Sequence, residues 1–148
     1  MRTARVDSRD VSQKAQRLEF DVAVAEDRSV TSGLGGTPIP TADEWQAEHL
    51  VLAGLVRCTL ASLDYHVRKH DLRATASGSA HGIVTKREED GLYAFVEIEA
   101  ELVVDFEPPV ENDLARELIA SAERGCFVGN SLTARPRYRW IVNGEQVR

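Results

Sequence analysis

The feature that most limits the folds open to this chain is an apolar stretch in its first half. Residues 50–63 read Leu-Val-Leu-Ala-Gly-Leu-Val-Arg-Cys-Thr-Leu-Ala-Ser-Leu, which is apolar on nearly every face of a helix. A helix of this kind is surrounded by other elements rather than laid on a surface. Its most apolar run ends at Arg57 and is far too short to span a bilayer. We therefore predict a long, enclosed central helix, capped by Thr41 or Asp43 and ending near His70.

On the N-terminal side of this helix the sequence predicts a loose arm and a pair of strands. Residues 1–16 are polar and form the arm. Apolar residues alternate with polar or small ones over residues 18–24, which is typical of a half-buried strand. A second strand is expected near residues 28–32. The glycine and proline content of residues 32–40 then indicates a loop.

After the central helix the sequence predicts a β-hairpin. Asp90-Gly91 is a strong turn signal between strands at residues 83–88 and 92–104. Pro108-Pro109 ends the second strand. Acidic residues occupy one face of that strand, and its apolar face consists of Val96, Ile98, Ala100, Leu102 and Val104.

A second helix and a last strand complete the predicted fold. Asn112 caps the helix, Gly125 ends it, and its apolar stripe consists of Leu114, Leu118, Ile119 and Ala122. Cys126 follows at once and opens a short helix through Leu132. Residues 137–142 read as a strand, with Asn143-Gly144 as a turn. The order of elements predicts one α+β domain over residues 1–148.

The two cysteines each admit a structural and a chemical interpretation. Cys58 lies in the buried helix, where most free cysteines are inert hydrophobic residues, and its helical neighbours carry no charge. A reactive thiol needs a nearby cation or a helix N-terminus, so its activation must come from elsewhere in the fold or from a second subunit. Cys126 either plugs a turn or begins a helical turn whose free N–H groups favour a thiolate. In a reducing compartment two such thiols are free or transiently paired.

The segment that leads to Cys58 resembles the first signature of the OsmC/Ohr family. In residues 38–58 a proline-containing loop leads to a glutamate, a leucine-rich stretch, a glycine and the cysteine. Glu48 stands ten residues before the cysteine and Gly54 four residues before it, which are the positions of that family.

The segment around Cys126 resembles the second signature of the same family. It covers residues 122–132 and reads Ala-Glu-Arg-Gly-Cys-Phe-Val-Gly-Asn-Ser-Leu. The separation of 68 positions from Cys58 to Cys126 suits the intervening hairpin and helix, and the resemblance extends over residues 18–142. It implies an OsmC-like fold, with antiparallel sheets around a long buried helix, and an intertwined homodimer.

The resemblance also implies a chemistry. Cys58 would be the peroxidatic cysteine, whose thiolate attacks an organic hydroperoxide and becomes a sulfenic acid. Cys126 would condense with it to a disulfide. A dithiol reductant, in this family often a lipoylated protein, would then restore both thiols. No metal, flavin or haem is needed.

The family also implies a glutamate that holds a catalytic arginine. Glu48 lies about 15 Å along the helix from Cys58, so it would act across the dimer interface. Arg28 is the nearest cation to the family's arginine position, displaced by a couple of residues, and Arg17 is a second candidate. If no cation activates Cys58, the alternative is a protein of the same fold that binds a small apolar ligand or senses oxidation.

Charge and the first residues favour a cytoplasmic protein that binds neither nucleic acid nor a membrane. The net charge of −6 argues against a nucleic-acid surface. The first residues contain no apolar run of signal-peptide length, and we expect no membrane partner. His66 and His70 share a helix face but lack further ligands for a metal site. The glycine-rich residues 33–36 lack the lysine of a phosphate loop. Two interpretations stay open for Trp45 and Trp140: they line an apolar ligand pocket, or they are ordinary core or interface residues.

Overall fold

A computed structural model describes residues 15–41 and 43–147 of the chain. The chain divides into two compact units, residues 1–45 and residues 46–148. Nearly all of the loose arm predicted over residues 1–16 lies outside the described residues.

The N-terminal unit contains a short antiparallel ribbon. Strand β1 (Val22–Val24) pairs with strand β2 (Val30–Ser32), and Val30 also bridges to Ile39. β1 is shorter than predicted, and the prediction that residues 18–24 are half-buried is wrong, since the side chains of Leu18, Phe20, Val22 and Val24 are exposed. In residues 15–41 and 43–45 of this unit the ribbon is two-stranded and its apolar side chains are exposed, so the alternation in the sequence does not produce a buried face there.

The long helix α1 runs over Ala47–Arg68. Its start lies later than predicted, because neither Thr41 nor Asp43 caps it. Gln46 is the N-cap, and its backbone N–H donates to Nδ1 of His49 at 3.1 Å. Asp43 stands in a turn, and the hydroxyl of Thr41 donates to a backbone carbonyl of the N-terminal unit.

Within the single chain α1 is buried along one stripe only. The stripe has a spacing of four residues and consists of Leu55, Thr59, Leu63 and Val67. The flanks are half-buried or exposed, and Val51 is 37% exposed. Length and composition alone would also let α1 cross a membrane, which is weak evidence because core helices of soluble proteins share these properties. One chain therefore encloses α1 less completely than its sequence predicts.

The C-terminal unit contains a four-stranded sheet in the order β3-β4-β5-β6. The β3–β4 and β5–β6 pairs are antiparallel, whereas β4 and β5 run parallel. The sheet is therefore mixed rather than purely antiparallel as predicted, because a crossover through two helices returns the chain in the direction of β4. The strands are β3 (Arg73–Lys86), β4 (Tyr93–Glu107), β5 (Arg137–Val142) and β6 (Glu145–Val147).

The predicted hairpin is confirmed, although β3 begins ten residues before the predicted start. The early part of β3 is rich in alanine, serine and glycine, so it carries little apolar alternation. In β4 the predicted apolar face is buried from Ile98 to Val104, but Val96 is 40% exposed. The register shifts between Ile83 and Val84, opposite Val96, and this bulge turns Val96 out of the buried face.

Two helices connect β4 to β5. Helix α2 covers Asn112–Arg124, with Glu111 rather than Asn112 as its N-cap and Gly125 after its end. Leu114 is half-buried, and the buried side of α2 consists of Ala115, Leu118, Ile119 and Ala122. Helix α3 covers Phe127–Ser131, and Cys126 is its N-cap, as the sequence predicts. Helix α1 packs against β3, α2 and α3.

A glycine in β3 permits the close approach of α1 to the sheet. A Cβ atom at Gly78 would lie 2.7 Å from Cδ1 of Leu102 and 2.9 Å from Cγ1 of Val56. We expect Gly78→Ala to lower the free energy of unfolding by about 1–3 kcal/mol, because overpacking forces neighbours out of place. Gly54→Ala is the matched control, since no atom lies within 4 Å of its added Cβ. Urea denaturation measures both, and equal stability of the two variants would contradict the packing account.

Candidate functional site

The fold brings the two cysteines together. Cys58 lies in the middle of α1 and is half-buried, and Cys126 precedes α3 and is fully buried. Cys58 packs against the buried cluster that contains Cys126, and both thiols are free. The thiol that solvent can reach is therefore Cys58, and the thiol behind it is Cys126.

The sulfur of Cys126 has three hydrogen-bonding neighbours. The backbone N–H of Gly129 donates to it at 3.3 Å. The hydroxyl oxygen of Thr59 lies 3.3 Å from it, and the carbonyl oxygen of Leu55 lies 3.8 Å away. A thiol can donate to the carbonyl, whereas a thiolate can accept from both Gly129 and Thr59.

The ionisation of Cys126 is shifted by these surroundings. Burial raises the pKa of the Cys126 thiol, and this is the largest effect. Hydrogen bonds from Thr59 and Gly129 lower the same pKa in part, while the neighbouring Cys58 raises it, above all when Cys58 carries negative charge. Cys126 therefore keeps its proton to a higher pH than an ordinary cysteine, and most firmly while Cys58 is a thiolate.

Tyr138 on β5 forms another side of this cluster. A Cβ atom at Gly129 would lie 2.8 Å from the Tyr138 hydroxyl and 3.4 Å from the sulfur of Cys126, so only a glycine fits there unstrained. Burial raises the pKa of Tyr138, the nearby hydroxyl of Thr59 lowers it in part, and charge on Cys126 raises it. Neither Thr59 nor Tyr138 is predicted as a site residue from the sequence. The one available signal was a threonine inside an apolar stripe.

A surface groove of about 430 Å³ borders the cluster at Tyr138 and Gly129. Its other side chains include Arg124, Arg135 and Glu123. The carboxylate of Glu123 accepts a hydrogen bond from the indole N–H of Trp140 at 2.9 Å. This contact fixes one wall of the groove. Trp140 is itself a core residue, only 2% exposed, and does not line the groove.

The other predicted site residues lie apart from the thiols or in the N-terminal unit. Glu48 is exposed in the first turn of α1, roughly 15 Å along the helix from Cys58, so the two do not meet within the chain. Arg28 lies in the turn between β1 and β2 with a φ of +70°. Arg17 forms an exposed ion pair with Glu19 at 2.6 Å. Their predicted roles beside Cys58 stay predictions.

The histidines, the glycine-rich loop and Trp45 do not form a second site among the described residues. His49 accepts the hydrogen bond at the start of α1, and His66 lies edge-on to the ring of Tyr65. Residues 15–41 and 43–147 contain no group of three or more histidine, cysteine or acidic side chains placed to hold a metal. Gly35 and Gly36 have positive φ values and belong to a loop, and Trp45 is 53% exposed.

The same arrangement of elements is found in solved structures. An OsmC-like protein of unknown function from Vibrio cholerae has a TM-score of 0.70 at 13% identity, covering 84% of this chain and 100% of its own. An OsmC-like protein from Mycoplasma pneumoniae has a TM-score of 0.63 at 16% identity, covering 84% and 97%. An organic hydroperoxide resistance protein from Elizabethkingia anophelis, with thiocyanate bound, has a TM-score of 0.59 at 18% identity, covering 86% and 96%.

These likenesses show the fold. No protein-family model matches the chain, and no curated protein matches its sequence. The chain has the OsmC-like α+β fold, and the prediction of that fold from the two cysteine segments is confirmed.

The raised pKa of Cys126 has a measurable consequence. In a Cys58→Ser variant, alkylation of Cys126 by a small reagent should have its pH midpoint above about 8.5, the value for an exposed cysteine, because burial disfavours the thiolate. In denaturant the midpoint should fall to the ordinary value. Limited access would slow alkylation at every pH without moving the midpoint. Identical midpoints in the folded and unfolded chains would refute the shift.

Proposed function

We propose that this protein is a cysteine-dependent peroxidase that reduces organic hydroperoxides and belongs to the OsmC/Ohr family. The observation that carries the proposal is the adjacency of a half-exposed thiol, Cys58, and a fully buried thiol, Cys126. A thiol that meets peroxide must be accessible, whereas a resolving thiol needs only to reach its partner. Fold likeness to organic hydroperoxide resistance proteins supports the same chemistry.

The first step would oxidise Cys58. Its thiolate attacks the outer oxygen of the hydroperoxide, the O–O bond breaks, and a sulfenic acid forms on Cys58. The departing alkoxide takes up a proton and leaves as the alcohol. The apolar cluster against which Cys58 packs, with Leu55 one helical turn away, suits an organic substrate better than a small polar peroxide.

The second step would join the two cysteines. The Cys126 thiolate attacks the sulfur of the sulfenic acid, the S–S bond forms, and the S–O bond breaks to release hydroxide, which is protonated to water. Cys58 lies close enough to raise the pKa of Cys126, so the two thiols begin this step as neighbours. An external dithiol, such as a lipoylated protein, would return both cysteines to thiols and be oxidised to its own disulfide.

The activating cation would come from outside the immediate thiol cluster. The groups that shift the pKa of Cys126 and Tyr138 include no lysine or arginine in the part of the chain the structure describes. We propose Arg28 for this role, with Glu48 of the partner subunit holding it, in a homodimer that covers the open flanks of α1. The apolar and half-exposed side chains on those flanks support such an interface.

A redox sensor of the same fold is the second candidate. The feature that favours it is that no lysine or arginine of the described residues shifts the pKa of Cys126 or Tyr138. A thiolate without a nearby cation is a poor nucleophile at neutral pH. A sensor forms the Cys58–Cys126 disulfide once per oxidation event, whereas an enzyme consumes many equivalents of peroxide in the presence of a dithiol. Turnover therefore separates the two.

A peroxide assay tests the enzymatic proposal. Reduced protein mixed with cumene hydroperoxide and a dithiol should consume many equivalents of peroxide and, without the dithiol, form a Cys58–Cys126 disulfide. Cys58→Ser should abolish consumption, because it removes the nucleophile. Cys126→Ser should still react once and leave a sulfenic acid on Cys58 that a dimedone probe traps. Peroxide loss no greater than in Cys58→Ser would exclude the peroxidase and, if the disulfide still forms slowly, favour the sensor.

Sedimentation tests the proposed dimer. We expect the native chain to sediment as a dimer at micromolar concentration, because the uncovered apolar flank of α1 needs a partner. Val51→Lys, which places a charge on that flank, should weaken association. Glu117→Lys on the exposed side of α2 is the matched control and should leave it unchanged. A native chain that is monomeric at this concentration would refute the shared site.

A further inference from the structure

The buried stripe of α1 has one polar member, and that member faces the buried thiol. Three of its residues are Leu55, Leu63 and Val67, and the fourth is Thr59, which is 0% exposed. Among the described residues Thr59 is the one buried polar side chain. A buried hydroxyl costs free energy unless it is hydrogen-bonded, and valine would fill the same volume. Packing alone therefore does not explain why this buried position carries a hydroxyl group.

Thr59 has two acceptors for one hydroxyl proton. Its oxygen lies 2.9 Å from the carbonyl oxygen of Leu55 and 3.3 Å from the sulfur of Cys126. A hydroxyl donates to one acceptor at a time and can accept through its lone pairs. The carbonyl of Leu55 also takes part in the backbone hydrogen bonding of α1, so it stays satisfied when the hydroxyl turns away.

We propose that Thr59 is a positioning residue for the resolving step. While Cys126 is a thiol, the Thr59 hydroxyl donates to the carbonyl of Leu55. When Cys126 loses its proton, the hydroxyl turns to the sulfur and, with the N–H of Gly129 at 3.3 Å, holds the thiolate in place. This role rests on the proposed function, in which the Cys126 thiolate attacks oxidised Cys58.

The arrangement would also time the resolving step. Conversion of the Cys58 thiolate to a sulfenic acid removes a negative charge next to Cys126, while the two hydrogen-bond donors stay where they are. The electron pair of Cys126 then forms the S–S bond, the S–O bond breaks, and the released hydroxide takes the proton that Cys126 gave up. The hydroxyl of Thr59 and the N–H of Gly129 would therefore stabilise the Cys126 thiolate after Cys58 has become a sulfenic acid. They would do so less while Cys58 is still a thiolate.

The first experiment measures the ionisation of Cys126 without any peroxide. In a Cys58→Ser background, the pH midpoint of Cys126 alkylation is compared for Thr59, Thr59→Val and Thr59→Ser. Loss of a hydrogen bond to the thiolate should raise the midpoint in Thr59→Val by about one to two pH units. Thr59→Ser keeps the hydroxyl and should stay near the parent. Equal midpoints in all three proteins, or equal shifts in both variants, would overturn the proposal.

The second experiment measures the resolving step itself. With Cys58 present and oxidised by one equivalent of hydroperoxide, Thr59→Val should form the disulfide roughly three- to ten-fold more slowly at neutral pH, since the fall in thiolate outweighs the gain in its nucleophilicity. The deficit should shrink as the pH rises and reverse once Cys126 is ionised in both proteins, because the more basic thiolate of Thr59→Val is then the better nucleophile. A deficit that is the same at every pH would indicate a packing defect and overturn the role assigned to Thr59.

The alkylation experiment tests the role of Thr59 independently of the peroxidase proposal. A protein that does not consume peroxide would show no oxidation of Cys58 in any variant, yet the alkylation midpoints would still report on Thr59. Circular dichroism melting of each variant checks that it is folded. If Thr59→Val does not fold, Thr59→Ala replaces it in the comparison with Thr59→Ser. A higher alkylation midpoint in Thr59→Ala alone supports the proposal, and equal midpoints in the two variants overturn it.

Discussion

The contact between the stripe of α1 and the turn at Cys126 organises the C-terminal unit. On one side Leu55 and Thr59 present a carbonyl and a hydroxyl to the sulfur, and on the other Gly129 presents an N–H. The contact exists because the crossover from β4 to β5 passes directly over α1. It places a thiol in an environment that disfavours its charge and yet supplies donors to that charge.

The glycines around this contact have a related task. A Cβ atom at Gly125 would lie 2.5 Å from the hydroxyl of Ser62, and one at Gly129 would meet Tyr138. Together with Gly78 under Val56, they let the crossover and the sheet approach α1 from two directions. Close packing on both sides makes the stripe of α1 stiff, and a stiff stripe keeps the hydroxyl of Thr59 at one distance from the sulfur of Cys126.

Much of the fold could be predicted from the sequence, and the exceptions have physical causes. The long helix, the Asp90-Gly91 hairpin and the strand over residues 137–142 follow from strong local patterns. The parallel pairing of β4 with β5 does not, because it depends on where a crossover sends the chain. The bulge that exposes Val96 depends on the register of β3, and that register is a tertiary property.

The candidate site divides in the same way. Its cysteines could be named from their two sequence segments. Thr59 and Tyr138 could not, because each has ordinary neighbours along the chain and becomes special only when β5 and α1 meet at Gly129. Glu48 and Arg28 show the opposite case, because their roles are proposed from sequence spacing alone and stay predictions.

The distance along the chain between the cysteines has a consequence beyond catalysis. Cys58 and Cys126 stand 68 residues apart, so a bond between them would close a large part of the C-terminal unit into a ring. In the chain-entropy model a ring of that size raises the free energy of unfolding by about 4 kcal/mol, because it reduces the conformational entropy of the unfolded chain. An oxidised molecule would then resist heat and proteases better than a reduced one. In the proposed cycle, oxidation would therefore lengthen the lifetime of the protein, and reduction would return it to the less stable form with two free thiols.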